Sequence, residues 1–297
     1  MKNSGNNNEN RNMDAIFLGR TKSFFSQVLL VIKFLLKGKA SQSFFMRIKI
    51  SYFYFKFKAK DVFFKNIVRK EIKSENLFDY NVKFSNYSIF RSLFMEIFIL
   101  EQYYFETQKA IPCIIDCGAN IGVSVLYFKF YYPNSKIVAF EPDVDSFKLL
   151  EENIRSNKLN DVQVHNLALS NQEGKLKFYT DKTNSIVNSA IIGVKEVIYD
   201  GNLLVKEVQS EKLSKFINGE VDLLKIDVEG YEDKVVLDLK KEDKLKFVKN
   251  IIVEYHPGIC EELKTGEVFM EFLNSNRFNC IAKKMKWKNY LVYGEKI

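Results

Sequence analysis

Two glycines separated by three residues, Gly118 and Gly122, follow an acid, Asp116, at the end of the apolar run Pro112–Asp116. In open α/β sheets ligands bind beyond the carboxyl ends of the strands, and glycines there let the backbone turn tightly close to a ligand. The spacing is GxxxG and not the GxGxxG of dinucleotide sites, which suits a cofactor without a pyrophosphate to seat on a helix N-terminus. Asp116 is expected beside a cationic part of that cofactor, or ordering water there, with Gly118, Asn120 and Gly122 forming the loop around it. A second acid, Glu141 in Phe140-Glu141-Pro142, ends the next apolar run. It falls about 20 residues past the glycine loop, the interval at which a carboxylate accepts hydrogen bonds from a ribose diol. Asn166 and Ala168, in Asn166-Leu167-Ala168-Leu169-Ser170, end a third run. The small residue leaves room for a purine ring.

Two further constellations lie downstream. Leu223-Leu224-Lys225-Ile226-Asp227-Val228-Glu229-Gly230-Tyr231-Glu232 places a lysine inside an apolar strand and crowds acids at its exit. Clustered acids have displaced pKa values and serve proton transfer, although a polar helix cap is also consistent with the pattern. Ile252-Val253-Glu254-Tyr255-His256-Pro257 ends the following run on one of only two histidines. A histidine there titrates near neutral pH and suits a general base, or is a solvated loop residue. His165, within the third strand, reads as structural. The four cysteines, Cys113, Cys117, Cys260 and Cys280, show no CxxC spacing. With two histidines available, no metal site is expected and reduced thiols fit best.

Elements that position these residues follow from periodicity. Strands are expected at Pro112–Asp116, Lys136–Glu141, Val162–Leu167, Asp222–Asp227 and Val248–Glu254. Helices are expected at Val123–Phe130, Ser146–Asn157, near Asp233–Leu239, and at Glu261–Asn274. Gly174–Tyr179 and Leu203–Val208 read as additional strands, and Phe278–Lys283 with Tyr290–Val292 as a closing hairpin. Strands alternating with helices argue for an α/β fold, a parallel sheet with helices on both faces. The working boundary of this domain lies near residue 108, giving 108–297.

The preceding region, 14–107, is aromatic and basic. The chain has 27 Phe and 15 Tyr against one Trp. Up to residue 110 there are 19 Lys and Arg against 9 Asp and Glu, and beyond it 26 against 28, so the net charge of +8 arises entirely in the front third. Such asymmetry suits an acidic partner surface, or reflects a Lys- and Asn-rich codon bias. Residues 1–13 are Asn-rich and expected to be disordered. Asp14–Lys39 carries apolar residues at helical steps, consistent with a helix packed on the protein or one lying on a membrane surface. No run is long enough to span a bilayer, and a signal peptide is not expected. Tyr52–Lys58 alternates strictly and predicts a half-buried strand, and residues 87–105 predict a helix. Together these give an N-terminal α+β extension.

The order DCGANIG, FEPD, NLALS, KIDVEGYE and VEYH resembles the FkbM-type methyltransferases over about residues 85–260. That resemblance implies a Rossmann-like class I methyltransferase sheet and S-adenosylmethionine as cofactor. It also implies methyl transfer to a hydroxyl oxygen, with family members often acting on saccharides or in cell-surface glycan biosynthesis. By motif match it assigns Asp116, Gly118, Asn120, Gly122 and Glu141 to the cofactor, and Asp227, Glu229 and His256 to the acceptor side. The acceptor is then a saccharide or other hydroxylated molecule. A cytoplasmic location is expected; the basic extension, about which the resemblance says nothing, either makes peripheral contact with anionic membrane or is simply core. A nucleic-acid methyltransferase is the lesser reading: neither an Asn/Asp-Pro-Pro-aromatic motif nor a Pro-Cys nucleophile is present. A non-catalytic S-adenosylmethionine-binding or membrane-docking protein is the reading outside enzymes.

Overall fold

A computed structural model of the chain describes residues 25–38, 43–181, 188–189, 203–257, 259–285 and 289–297. The expected tail over 1–13, and the front of the 14–39 stretch, lie outside the described residues. The chain enters through helix α1 (25–37) and helix α2 (Phe44–Phe63), which continues as one π-helical turn, Phe64–Val68. A hairpin of β1 (Ser74–Leu77) and β2 (Tyr80–Lys83) leads to α3 (Tyr87–Phe94) and a second π-helical turn, Met95–Ile99.

Here two expectations are corrected. Residues 52–58 are helical, not a strand. Aromatic side chains occupy both sides of the alternation, so period two did not identify a buried face. The buried set is Ile50, Phe53, Tyr54 and Phe57, at helical spacing, while Tyr52 is 62% exposed. In the helix Phe57 packs against both Phe90 and Phe94, with ring centroids 5.2 Å from each. Ser43 caps this helix by accepting from the Met46 amide at 3.3 Å. The second correction concerns residues 87–105, whose helical part ends at Ile99. Residues 101–105 form a turn and an irregular segment.

The sheet follows. β3 (Cys113–Cys117), α4 (Val123–Tyr131), β4 (Lys136–Phe140), α5 (Val144–Ser156) and β5 (Val162–His165) alternate as expected. β6 (Ala168–Ser170), β7 (Gly174–Asp181), β8 (Asn188–Ser189) and β9 (Leu203–Lys212) form a separate four-stranded sheet in the order β6-β9-β7-β8. β10 (Val221–Ile226), α6 (Glu232–Lys241), β11 (Val248–Tyr255), α7 (Gly266–Ser275), β12 (Phe278–Lys284) and β13 (Tyr290–Lys296) complete the chain. The large sheet runs β12-β13-β11-β10-β3-β4-β5, parallel from β11 to β5, with β13 antiparallel to β11 and β12 antiparallel to β13. This is the Rossmann-like class I methyltransferase arrangement with its terminal antiparallel hairpin. The last predicted helix begins at Gly266, five residues later than Glu261, behind an N-cap at Thr265.

Adjacent strand residues face opposite ways, and the core divides accordingly. Ile114, Leu223 and Ile252 pack with α4, α5 and the aromatic residues of the N-terminal helices. Ile115, Leu224, Ile251 and Val253 pack with α6 and α7. The N-terminal extension therefore covers one face of the sheet as a continuous apolar core. Asn153 of α5 ties it down, accepting from the Lys83 amide at 2.7 Å and donating to the carbonyls of Lys83 at 2.9 Å and Ile121 at 2.8 Å.

Helical packing of residues 52–58 has a measurable consequence. Phe57→Ala is expected to destabilise the protein by about 3–5 kcal/mol in urea unfolding, as a buried Phe truncation does. Phe55, 39% exposed, is expected to cost about 1 kcal/mol or less. A strand would make the two costs alike, because Phe55 and Phe57 would share a face.

Candidate active site

The chain turns over residues 118–122 between β3 and α4. Gly118 has φ +84° and Gly122 φ +88°, both left-handed. A Cβ on Gly118 would stand 1.8 Å from the Asp227 carbonyl oxygen, and one on Gly122 2.7 Å from Leu150 Cδ1. These glycines admit other parts of the protein, β10 and α5, and shape the loop by doing so. Gly118 borders the cleft that opens here; Gly122 lies behind it and is not among the lining residues.

The loop amides are all engaged within the protein. Gly118 and Ala119 both donate to the Phe140 carbonyl at 2.9 Å, and Gly122 donates to the Ala119 carbonyl at 2.8 Å. Asn120 donates to Glu141 Oε2 at 2.8 Å, and Ile121 to Asn120 Oδ1 at 2.7 Å. No amide of 118–122 is left for a phosphate. The other Glu141 oxygen accepts the Asp143 amide at 2.9 Å. Each carboxylate oxygen thus carries one N–H and keeps a lone pair, and Glu141 lines the cleft. Burial pushes its carboxyl up to about 7, against the Asp143 and Asn120 amides that favour the charged form. Asn166 stands back from the cleft and donates to the carbonyls of Glu141 at 2.8 Å and Pro142 at 3.0 Å, fixing the strand end that carries the acid. Ala168 borders the cleft between Leu167 and Leu169.

Asp116 does not reach the cleft. It is fully buried, accepts the Ser124 hydroxyl at 2.5 Å and pairs with Lys225 Nζ at 3.1 Å. The expectation that it meets a cationic part of the cofactor is corrected: its cation is Lys225. Burial opposes the lysine charge, but Asp116 and then Asp227 raise its pKa, and the ammonium also donates to the Gly118 carbonyl at 2.6 Å.

The acceptor-side residues converge. Asp227 and Glu229 leave the end of β10, and His256 leaves the end of β11, with one ligating atom of each within 4.8 Å of the others. His256 is buried, its Nδ1 3.0 Å from Glu232 Oε1, its Nε2 3.4 Å from Glu229 Oε2 and 3.9 Å from Glu254 Oε1. Burial disfavours the imidazolium, yet the carboxylates of Glu232 and Glu229 overcome it and raise the pKa well above the ordinary value. A base with the ordinary imidazole pKa is therefore not what these neighbours provide. Burial pushes Glu229 up to about 8 and Glu254 to about 7.

Sequence reading missed the residues that the N-terminal region contributes. Leu93, Ile97 and Tyr103 line the cleft. Tyr103 donates its hydroxyl to Asp227 Oδ2 at 3.3 Å, and its ring lies 5.1 Å from Lys225 Nζ. Nothing in a helical apolar pattern separates a cleft wall from ordinary packing. Glu254 and Glu232 stood within recognised motifs, yet spacing alone did not show that their carboxylates meet one histidine.

The cleft has about 860 Å3 of empty volume, mouth included. An acid with free lone pairs at the end of β4, a small residue at β6 and a loop without free amides fit a nucleoside cofactor that carries no pyrophosphate. The fold and this site together define a class I methyltransferase using S-adenosylmethionine.

A family model described as the methyltransferase FkbM domain matches residues 116–280. Methyltransferase 1 of Beauveria bassiana (strain ARSEF 2860) is 30% identical over 210 residues, which cover 65% of this chain and 82% of the relative. Methyltransferase sdnD of Sordaria araneosa is 30% identical over 191 residues, 54% of this chain and 73% of the relative. Among solved structures, a methyltransferase from Pyrococcus furiosus aligns at 15% identity and a TM-score of 0.40, covering 81% of this chain and 98% of its own. The chain belongs to the FkbM methyltransferase family, as its motif order implies.

The raised Glu141 pKa fixes a sign. Below about 7 the carboxyl becomes protonated and loses acceptor capacity for a ribose diol. Calorimetric affinity for S-adenosylmethionine is expected to be level above about pH 8 and to fall below pH 7, approaching tenfold per unit. Glu141→Gln is expected to bind more weakly and to flatten this dependence.

Proposed function

We propose that the protein methylates a hydroxyl oxygen of a saccharide or similar small hydroxylated acceptor, in cell-surface glycan biosynthesis. The observation that carries this reading is the crowd of carboxylates, Asp227, Glu229 and Glu254, around the buried His256, with Asp227 and Glu229 lining the cleft. Such a surface accepts hydrogen bonds from several hydroxyls at once, and it offers proton acceptors where an oxygen would meet the methyl group. Glu141 and Ala168 hold the nucleoside end of the cofactor, and Leu93, Ile97 and Tyr103 keep bulk water from the opposite wall. When bound, S-adenosylmethionine supplies the methyl carbon, whose bond to sulfur breaks with the electron pair remaining on sulfur. The chain holds the hydroxyl in line with that carbon and takes its proton on a cluster carboxylate, so that positioning contributes most of the rate. The hydrogen bond from Tyr103 keeps Asp227 turned toward the cleft.

The direct test is to delete the gene in its host and compare surface glycans by mass. Loss of a single CH2 from one sugar is expected, restored by the wild-type gene and not by Asp227→Asn. An unchanged glycan profile overturns the acceptor assignment.

We further propose that the extension docks on the cytoplasmic face of an anionic membrane. Among the described residues no helix is long and apolar enough to cross one. Support for surface docking comes from Phe25 and Leu36 of α1 and Phe45 of α2, which are at least 70% exposed and stand on helices that also carry Lys33, Lys37 and Lys49. Apolar side chains beside lysines suit an interfacial helix, each cation near the surface adding about 1 kcal/mol. The full chain is expected to sediment with phosphatidylglycerol vesicles at low salt and to release as salt rises. No sedimentation at low salt overturns the docking proposal.

A further inference from the structure

We propose that Asp227, Glu229 and His256 hold one divalent metal ion of the Mn2+ type at the acceptor end of the cleft. Each offers one ligand atom, all within 4.8 Å of one another. Cis and trans ligands of an octahedral ion, with bonds of about 2.1–2.2 Å, stand about 3 to 4.4 Å apart, so small side-chain adjustments close the shell.

A carboxylate cluster alone would not distinguish a metal site from a hydrogen-bonded network. His256 supplies the second observation. It is 5% exposed, and its ring is oriented from behind. Glu232, fully buried, accepts the Gly230 amide at 2.8 Å on Oε1 and the Cys260 thiol at 3.4 Å on Oε2. It therefore stands as an acceptor toward His256 Nδ1, 3.0 Å away, which fixes the proton on that nitrogen. Nε2 is then the nitrogen directed into the cluster, 3.4 Å from Glu229 Oε2 and 3.9 Å from Glu254 Oε1, and a bound ion would take the place of any proton it carries there. A histidine whose far nitrogen donates to a buried carboxylate is the arrangement that supports metal-bound imidazoles.

Charge points the same way. Asp227, Glu229, Glu254 and Glu232 surround His256, and Lys225 is the nearby ammonium, 3.7 Å from Asp227 Oδ2 and already committed to Asp116. A dipositive ion balances the two ligand carboxylates. Two oxygens and one imidazole suit Mn2+ and, less closely, Zn2+, with positions left open for acceptor oxygens. The ion would supply Lewis acidity to an acceptor hydroxyl, and Glu254, outside the ligand set and 3.9 Å from His256 Nε2, would be the carboxylate left to receive its proton. This use of the ion rests on the hydroxyl-acceptor reading; the binding site does not.

The test is a Mn2+ titration of the full chain, with free ion followed by electron paramagnetic resonance, and S-adenosylmethionine binding measured separately by calorimetry. One Mn2+ per chain is expected, with a dissociation constant in the micromolar range. Glu229→Gln and His256→Gln are each expected to weaken it at least tenfold. Glu232→Gln is expected to weaken it about 10- to 100-fold through the orientation of His256. Glu207→Gln, on an exposed ion pair of β9, leaves it unchanged. Retained cofactor binding certifies that each variant is folded. Absence of Mn2+ or Zn2+ binding below millimolar concentration overturns the site, as does binding indifferent to both Glu229→Gln and His256→Gln. Either result leaves the methyltransferase reading standing if S-adenosylmethionine still binds.

Discussion

The ion pair of Lys225 and Asp116 organises the centre of this protein. Both side chains are almost completely withdrawn from water, at 2% and 0% exposure, and lie on adjacent parallel strands. Two isolated charges there would cost several kcal/mol each, which their attraction offsets only with good geometry and further hydrogen bonds. The geometry is supplied by carbonyls: the ammonium reaches Gly118 O at 2.6 Å and Cys117 O at 3.3 Å. Ser124 holds the other side of the carboxylate. A single lysine thus joins β3, the glycine loop and β10. Removing either partner strands a buried charge, so the pair specifies one arrangement of these elements more than it adds net stability.

From that junction the site divides into two electrostatic halves. At the glycine loop every amide is satisfied internally, leaving Glu141 as the acid presented to the cleft there. On the other side the strand ends of β10 and β11 bring carboxylates together faster than cations, and His256 is the group they share. The halves differ because β4 ends against the closed glycine loop, whereas β10 ends in a turn where Glu229 has φ +55°. A left-handed glutamate is sparsely populated, costing of order 1 kcal/mol or more, and such strain concentrates where side-chain aim matters.

The N-terminal helices complete this arrangement. They bury Phe57, Phe90, Phe94 and Phe98 over the β-sheet face formed by Ile114, Leu223 and Ile252. The same packing delivers Tyr103 to Asp227, and Leu93 and Ile97 to the cleft. One region therefore closes the core, forms a wall of the site, and turns its opposite side, with Phe25, Leu36 and Phe45, to the exterior.

By itself the sequence determined what depends on local order. Apolar runs ending in Asp116, Glu141 and Asp227 mark the parallel strands, because a strand buried on both faces must be apolar throughout. The glycine loop, the following acid and the closing hairpin indicated the fold class that the sheet order bears out. Tertiary structure decided whatever required knowing which face is buried. Residues 52–58 alternate as a strand does, yet form a helix, since their partners Phe90 and Phe94 lie more than 30 residues away. Asp116 has the position of a cofactor ligand, but Lys225, 109 residues later, takes its charge. Glu232, Glu254 and Tyr103 acquire roles through approach in space, which spacing along a chain does not encode. Burial and electrostatics are properties of neighbours, and only folding supplies the neighbours.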